Sequence, residues 1–126
     1  MDKYTSISDK GVREKVYWKY DGCCAYCGTP VEIDNFQIDH IEPLRRHLDD
    51  ISRKGKNVIE NYNPACRSCN ATKGSLGLEQ FRQELYLKLD RLSRDEPRYR
   101  ILRRIGVIEE YRDKILFHFE KIESNE

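Results

Sequence analysis

Two paired-cysteine motifs, Cys24-Ala25-Tyr26-Cys27 and Cys66-Arg67-Ser68-Cys69, stand on either side of the dipeptide Asp39-His40 in this chain. Two C-x-x-C pairs supply four thiolates, which is the ligand set of a tetrahedral structural zinc site. Because 38 residues separate the two pairs, a shared ion would join segments that are distant in sequence. We therefore predict that one Zn²⁺ ion is held by Cys24, Cys27, Cys66 and Cys69.

The fifth cysteine, Cys23, directly precedes the first motif. It can replace Cys24 as a ligand through a longer C-x-x-x-C spacing, or it can remain an unligated thiol, and the usual C-x-x-C spacing favours the second interpretation. A competing interpretation of the two motifs is a pair of redox-active dithiols. The chain lacks the βαβ pattern of thioredoxin-like proteins, which argues against that alternative.

Length and composition predict one soluble globular domain, residues 1–126. The chain has 36% charged and 38% apolar residues. No apolar run approaches the ~20 residues that a transmembrane helix requires, and the first residues contain no apolar signal-peptide core. We therefore expect a cytoplasmic protein that does not contact a membrane. In a reducing compartment, cysteines bind metal more often than they form disulfides.

The charge distribution suggests where a polyanion would bind. The net charge is +1, and it becomes −1 when four thiolates (−4) and one Zn²⁺ (+2) are added. Residues 82–104 carry eight Lys or Arg against four Asp or Glu, whereas residues 109–126 carry three against six. A polyanion would favour the first stretch. Arg100, Arg103 and Arg104 share one predicted helix face there and are candidate phosphate contacts, with a solvated charged face as the alternative.

Periodicity and turn residues predict four helices and two strands. The helices are expected at 10–20, 66–73, 77–93 and 97–105, the strands at 37–41 and 115–120, and a polar loop at 45–56. Gly74 and Gly106 suit the positions that follow helix ends. One apolar stripe of the longest helix is expected to be buried in the core. Its members are Leu78, Phe81, Leu85, Leu89 and Leu92.

The residues between the cysteine pairs have the chemistry of a hydrolytic metal site. Phosphodiester hydrolysis requires an attacking water, a base that deprotonates it, and positive charge near the phosphate. Histidine is the usual general base near neutral pH, and His40 is the candidate here. Asp39 and Asn70 supply the hard oxygen ligands that Mg²⁺ or Mn²⁺ prefers. Because neighbours on an ideal strand point to opposite faces, Asp39 and His40 must lie at a distorted strand end, or one must act from a loop.

The motifs follow one another in the order Cys24-x-x-Cys27, Ile38-Asp39-His40-Ile41-x-Pro43-Leu44, Glu60-Asn61 and Cys66-x-x-Cys69-Asn70-x-x-Lys73-Gly74. In this order and spacing, residues 20–75 resemble the HNH endonucleases with a four-cysteine zinc site, and small phage-encoded members in particular. The resemblance implies an α+β fold whose ββα-metal core, a strand hairpin and a helix, binds one divalent ion. An N-terminal helix would precede this core. Residues 76–126 would form a helical extension that ends in a short strand.

The resemblance also implies roles for individual residues. His40 would be the general base, and Asp39 and Asn70 would bind the catalytic Mg²⁺ or Mn²⁺ ion. The amide of Asn61 would bond the backbone across the loop and hold His40 in register. Asn63 is a rival for this supporting position, although Glu60-Asn61 fits the family spacing better. Many relatives have His at the position of Asn70, and Asn is a common variant there.

The implied substrate is DNA, with Arg67 and Lys73 beside the metal helix as further candidate phosphate contacts. A single site cuts one strand, so both nicking and dimer-dependent double-strand cleavage are open, and the partners are a second copy or an accessory protein subunit. The expected setting is the cytoplasm of a bacterial or phage-infected host cell. The alternative function is a non-catalytic zinc-binding module for nucleic acid or protein. Intact His40, Asp39 and Asn70 favour the endonuclease, because a binding module has no need of them.

Overall fold

The computed structural model describes residues 8–44, 57–110 and 113–124. The fold is α+β, as predicted, with five helices and two strands among the described residues. The elements are α1 (Lys10–Trp18), β1 (Gln37–His40), a short 3₁₀ turn (Ile59–Asn61), β2 (Tyr62–Ala65), α2 (Arg67–Lys73), α3 (Leu78–Asp95), α4 (Pro97–Arg104) and α5 (His118–Ser124). None of the helices in these ranges is long and apolar enough to span a membrane. The predicted loop at 45–56 lies outside the described residues.

The two strands form a small antiparallel sheet. Asp39 pairs with Asn63, and His40 pairs with Tyr62. Every residue of β2 is buried. The family resemblance implied a second strand, but the local sequence does not reveal it, because Asn63 and Pro64 are residue types that favour turns and strand edges. Burial between α1 and the rest of the core overrides that preference.

The described residues form two compact units. The first contains the described residues up to Leu78 together with those from Leu116 onwards, and the second contains those of Glu79–Ile115. Residues 76–126, which the sequence grouped as one helical extension, are therefore shared between the units. The last helix belongs with the sheet and the cysteine motifs.

In the first unit, α1 and the strands enclose a core of Val16, Phe36 and Tyr62. The Asp9 carboxylate accepts a hydrogen bond from the Val12 N–H at 3.1 Å and caps the start of α1. This cap satisfies a backbone donor that the first helical turn leaves without a partner. The position of β2, and with it that of β1, is set by this core.

In the second unit, α3 carries the predicted apolar stripe, but only Phe81 is fully buried, at 1% exposure. The four leucines of the stripe are half-buried. Arg82 is buried as well, and its guanidinium donates to the Glu79 carboxylate and to the carbonyl of Ile115. The periodicity therefore located α3 correctly and overstated how deeply its apolar face is buried.

The predicted strand at 115–120 is wrong, because the chain forms helix α5 from His118. The Glu120 carboxylate accepts a hydrogen bond from the Phe117 N–H at 2.9 Å, which is the backward half of a capping box. Phe117 and Phe119 are both buried, and their rings pack edge-on against Tyr26 at 5.4 and 5.9 Å. The alternation that suggests a strand arises because one Phe precedes the helix and the other lies in its first turn.

Candidate functional site

The four predicted zinc ligands form one cluster. The sulfur atoms of Cys24, Cys27, Cys66 and Cys69 all lie within 4.8 Å of one another. Cys66 is the N-cap of α2, and its sulfur accepts from the Cys69 N–H at 3.4 Å. Gly28 has a φ of 80° and so permits the tight turn after Cys27. Four sulfurs at this spacing fit a tetrahedral ion such as Zn²⁺.

The thiols of the cluster influence one another strongly. A hydrogen bond from Cys69 lowers the pKa of Cys24 to about 4, and the same interaction raises the pKa of Cys69. One thiolate therefore forms readily, and the next proton is harder to remove. Neighbouring thiolates repel one another, and the positive charge of a bound cation offsets this repulsion. A thiol that coordinates such a cation is therefore deprotonated. Cys23 is outside the cluster, with its sulfur 3.9 Å from the Asp21 carbonyl.

Asp39 is buried at 3% exposure, between α2 and the first cysteine motif. The Lys73 ammonium lies 3.0 and 3.3 Å from its two carboxylate oxygens, and the Tyr26 hydroxyl donates to one of them. Burial raises the pKa of Asp39, while Tyr26 and Lys73 oppose that shift because they stabilise the ionised form. The same burial, together with the charge of Asp39, raises the pKa of Tyr26 and keeps its hydroxyl protonated.

His40 follows Asp39 on β1, and its ring has different neighbours. Its Nε2 lies 2.8 Å from Oδ1 of Asn57, and the ring packs edge-on against Tyr62 at 5.1 Å. The backbone carbonyl of His40 accepts from the Lys73 ammonium at 2.8 Å. Both residues lie in β1, with His40 at its end as one of the two predicted arrangements has it, and neither acts from a loop. Their side chains have separate environments, as strand alternation requires.

The two candidate asparagines occupy different places. The side-chain amide of Asn61 makes two hydrogen bonds with the backbone of Glu42, at 3.0 and 2.9 Å. The backbone carbonyl of Asn61 accepts a third from the Ile41 N–H at 2.9 Å. Asn63 is fully buried, with its amide nitrogen 3.5 Å from the Tyr26 hydroxyl. Asn61 is therefore the residue that bridges the segment after β1.

Asn70 lies on α2 and is half-buried, with its amide nitrogen 3.5 Å from Oε1 of Gln37. Gln37 and Asp39 are two residues apart on β1, so their side chains share one face of the strand. Asp39 is consequently on the face of β1 that is turned toward α2, the helix that carries Asn70. A carboxylate and an amide oxygen match the ligand preferences of a hard divalent ion, and an ion bound there would share Asp39 with Lys73.

The predicted phosphate contacts divide into two groups. Lys73 has 0% exposure and is ion-paired with Asp39, so it cannot be the phosphate contact that the sequence suggested. Arg67, the first residue of α2, is exposed. In the second unit, Arg100 donates to the carbonyls of Ser93 and Arg94, and Arg103 donates to Ser93 and the Glu110 carboxylate. Arg104 is exposed.

Two contacts of the site were missed in the sequence. Asn57 gives no local signal, because no sequence pattern around it indicates its contact with His40. Tyr26 was noted only as part of a typical cysteine motif. Its hydroxyl reaches Asp39 because the loop of the first motif packs beside β2, where the Ala25 N–H donates to the Pro64 carbonyl at 2.8 Å.

Comparison with known proteins identifies the segment that holds this site. Residues 24–76 match the family model of the HNH endonucleases. This match spans both cysteine motifs, Asp39-His40, Asn61 and Asn70, and it confirms the resemblance predicted from the order of the motifs.

The chain is 33% identical over 81 residues to the CRISPR-associated endonuclease Cas9 of Corynebacterium diphtheriae, which covers 60% of this chain and 7% of that protein. It is also 33% identical over 64 residues to YoqL, an SPbeta prophage-derived protein of Bacillus subtilis named as an HNH endonuclease, with 49% and 27% coverage. The crystal structure of a Type II-C Cas9 from Actinomyces naeslundii superposes with a TM-score of 0.52 at 25% identity. That match covers 68% of this chain and 9% of the larger one. The chain thus spans under a third of each relative.

Proposed function

We propose that this protein is a metal-dependent DNA endonuclease that hydrolyses phosphodiester bonds with His40 as the general base. One observation carries the proposal: His40 and Asp39 on β1 and Asn70 on α2 belong to neighbouring elements of a segment that matches the HNH endonucleases. The relatives named above are endonucleases by name, which supports the same chemistry here.

The contact between His40 and Asn57 favours one ring nitrogen as the base. Oδ1 of Asn57 is a hydrogen-bond acceptor, so the Nε2 of His40, 2.8 Å away, carries the ring proton in the neutral form. The lone pair is then on Nδ1, which takes the proton from the attacking water. As the water oxygen bonds to phosphorus, the bond to the leaving oxygen breaks, and that oxygen gains a proton from solvent.

Asp39 and Asn70 would hold a Mg²⁺ or Mn²⁺ ion on the face of β1 that is turned toward α2. Such an ion stabilises the negative charge that develops on the phosphate and on the leaving oxygen. The four-cysteine cluster would hold Zn²⁺ with a structural role, because its four sulfurs leave no open position for a substrate. Asn61 would keep His40 in register through its two bonds to Glu42.

DNA would be bound through phosphate contacts, among which the exposed Arg67 and Arg104 remain candidates. One active site of this kind cuts one strand, so we expect nicks in a duplex from a single chain. A second copy or an accessory subunit is required for paired cuts.

The test is to incubate the purified, zinc-loaded protein with supercoiled plasmid, with Mg²⁺ and without it. Nicked circles should appear only with the divalent ion, and His40→Ala should lower the rate by ~10²–10⁴-fold. His47→Ala is the matched control, because His47 is the other histidine between the cysteine pairs. Binding of the plasmid without any cleavage by the parent would instead support a non-catalytic zinc module.

The ion ligands are tested separately in the same assay. Asp39→Ala and Asn70→Ala should raise the Mg²⁺ concentration needed for the half-maximal rate, with partial rescue at high Mg²⁺. His40→Ala should show no such rescue. If all three variants behave alike, the division between base and ion ligands is wrong.

A further inference from the structure

The hydroxyl of Tyr26 joins two parts of the molecule that have separate roles. Tyr26 lies between Cys24 and Cys27, so its backbone belongs to the loop that bears two sulfurs of the cluster. Its side chain crosses to β1, where the hydroxyl donates to the carboxylate of Asp39. Because a carboxylate only accepts hydrogen bonds, the single O–H of Tyr26 is directed at Asp39.

The position of this hydroxyl is fixed from several directions. Tyr26 is 4% exposed, and its ring packs against Phe117 and Phe119 of the C-terminal segment. Its N–H donates to the Cys24 sulfur at 3.4 Å, and its carbonyl accepts from the His118 N–H at 3.0 Å. Ring and backbone are therefore held independently of Asp39, and the hydroxyl can act as a fixed point for that carboxylate.

We propose that Tyr26 is a positioning residue for the divalent ion site, whose hydroxyl orients the Asp39 carboxylate for metal binding and links that site to the four-cysteine cluster. Carboxylate ligands are oriented by the hydrogen bonds they accept from neighbouring groups, and removing such a neighbour typically costs ~10–100-fold in metal affinity. Lys73 holds the same carboxylate from the α2 side. The inference rests on the proposed function, since it requires that Asp39 bind the ion.

The experiment measures Mn²⁺ binding to zinc-loaded, DNA-free protein by electron paramagnetic resonance of the free ion. Tyr26→Phe removes only the hydroxyl and keeps the ring that packs on Phe117 and Phe119. We expect it to raise the Kd for Mn²⁺ by ~10-fold or more, with zinc content unchanged. Plasmid nicking should then need more Mg²⁺ and reach a similar rate at saturation.

Tyr17→Phe is the matched control. The Tyr17 hydroxyl donates to the Val31 carbonyl at 2.8 Å in the same unit, and its ring packs on Phe36 rather than near Asp39. Tyr17→Phe loses the contact to Val31 and Tyr26→Phe loses those to Asp39 and Asn63. Both variants lose some stability, but only Tyr26→Phe should alter Mn²⁺ affinity. Equal Mn²⁺ affinity in parent and Tyr26→Phe overturns the inference.

Two further variants keep the outcome clear. If Asp39→Asn binds Mn²⁺ as tightly as the parent, then Asp39 is not a ligand, and both the ion site and this inference fail. If Tyr26→Phe does not fold, Phe117→Leu replaces it, because it keeps the hydroxyl and loosens the packing of the Tyr26 ring. A folded Phe117→Leu variant should bind Mn²⁺ more weakly by a smaller factor, and unchanged affinity there overturns the inference.

Discussion

The side chain of Asn61 is joined to the backbone of Glu42 by two hydrogen bonds, one accepted from the Glu42 N–H at 3.0 Å and one donated to its carbonyl at 2.9 Å. These bonds bridge the residue that precedes β2 and the segment that follows β1. Since His40 is the last residue of β1, they fix the direction in which the chain leaves it. Asn61 thereby acts on His40 through the backbone.

Replacing Asn61 with Ala should reduce plasmid nicking without weakening Mn²⁺ binding. Loss of the two bonds to Glu42 lets the end of β1 move, and a displacement of about 1 Å can cost ~10²-fold in rate. Nicking rates at saturating Mg²⁺, together with Mn²⁺ titration, measure the two quantities. Asn61→Asp is the informative companion, because it keeps the acceptor for the Glu42 N–H and loses the donor. A variant that nicks as fast as the parent would remove Asn61 from the site.

Replacing any cysteine of the cluster with Ser should abolish zinc binding and destabilise the first unit severely. The binding energy of a structural zinc ion is folding energy, since the unfolded chain offers no preformed site. Elemental analysis should give one Zn²⁺ per chain for the parent and far less for Cys66→Ser, whose thermal unfolding should begin at a much lower temperature.

Cys23→Ser is the control for the zinc prediction, because the Cys23 sulfur is outside the cluster. It should leave both zinc content and melting temperature close to those of the parent. Equal damage from Cys23→Ser and Cys24→Ser would mean that Cys23 is a ligand. A well-folded parent that contains no zinc would contradict the structural role of the ion itself.

The sequence predicted the fold correctly where a helix begins or ends at a residue type with a strong local preference. Gly74 ended α2 where the sequence predicted, and Pro97 begins α4. Strand β2 and helix α5 were not predicted from local sequence, because their burial depends on residues far away in the chain. The segment around Phe117 and Phe119 packs against Tyr26, which lies about ninety residues earlier, and no periodicity reports such a contact.

The candidate site shows the same division. Motif spacing predicted His40, Asp39, Asn61 and Asn70 as site residues, because each belongs to a short segment whose residue types suit the chemistry, and their roles stay predictions. The interpretation of Lys73 as a phosphate contact was wrong, since a lysine at the end of a helix next to a metal motif resembles a surface residue in sequence. Only the packing of α2 on β1 shows that its ammonium is buried against Asp39. Asn57 and Tyr26 acquire their roles in the same way, through contacts between elements.

Replacing Lys73 with Met should destabilise the first unit by ~3–5 kcal/mol, because it leaves the buried carboxylate of Asp39 without its charge partner. Urea unfolding of the zinc-loaded protein measures the free energy of unfolding. The double variant Lys73→Met with Asp39→Asn should recover much of the loss, since it removes the unpaired charge. If the two effects simply add, the ion pair is not coupled in the folded protein.

Among the basic residues of the second unit, Arg104 and Arg103 should behave differently on substitution. Arg103 is held by the Glu110 carboxylate and Ser93 at 3.0 and 2.7 Å, so Arg103→Ala should lower the melting temperature and change DNA affinity little. Exposed Arg104 has its charge available to a phosphate, and Arg104→Glu should weaken duplex binding.

The salt dependence of DNA binding tests this difference. Each lost phosphate contact makes the negative slope of log affinity against log salt shallower by about 0.9. Fluorescence anisotropy at several salt concentrations gives both affinity and slope, with Arg67→Glu as the comparison on α2. Should Arg104→Glu leave the slope unaltered, the second unit does not contact DNA through this residue, and Arg67 is the remaining candidate phosphate contact among the residues tested.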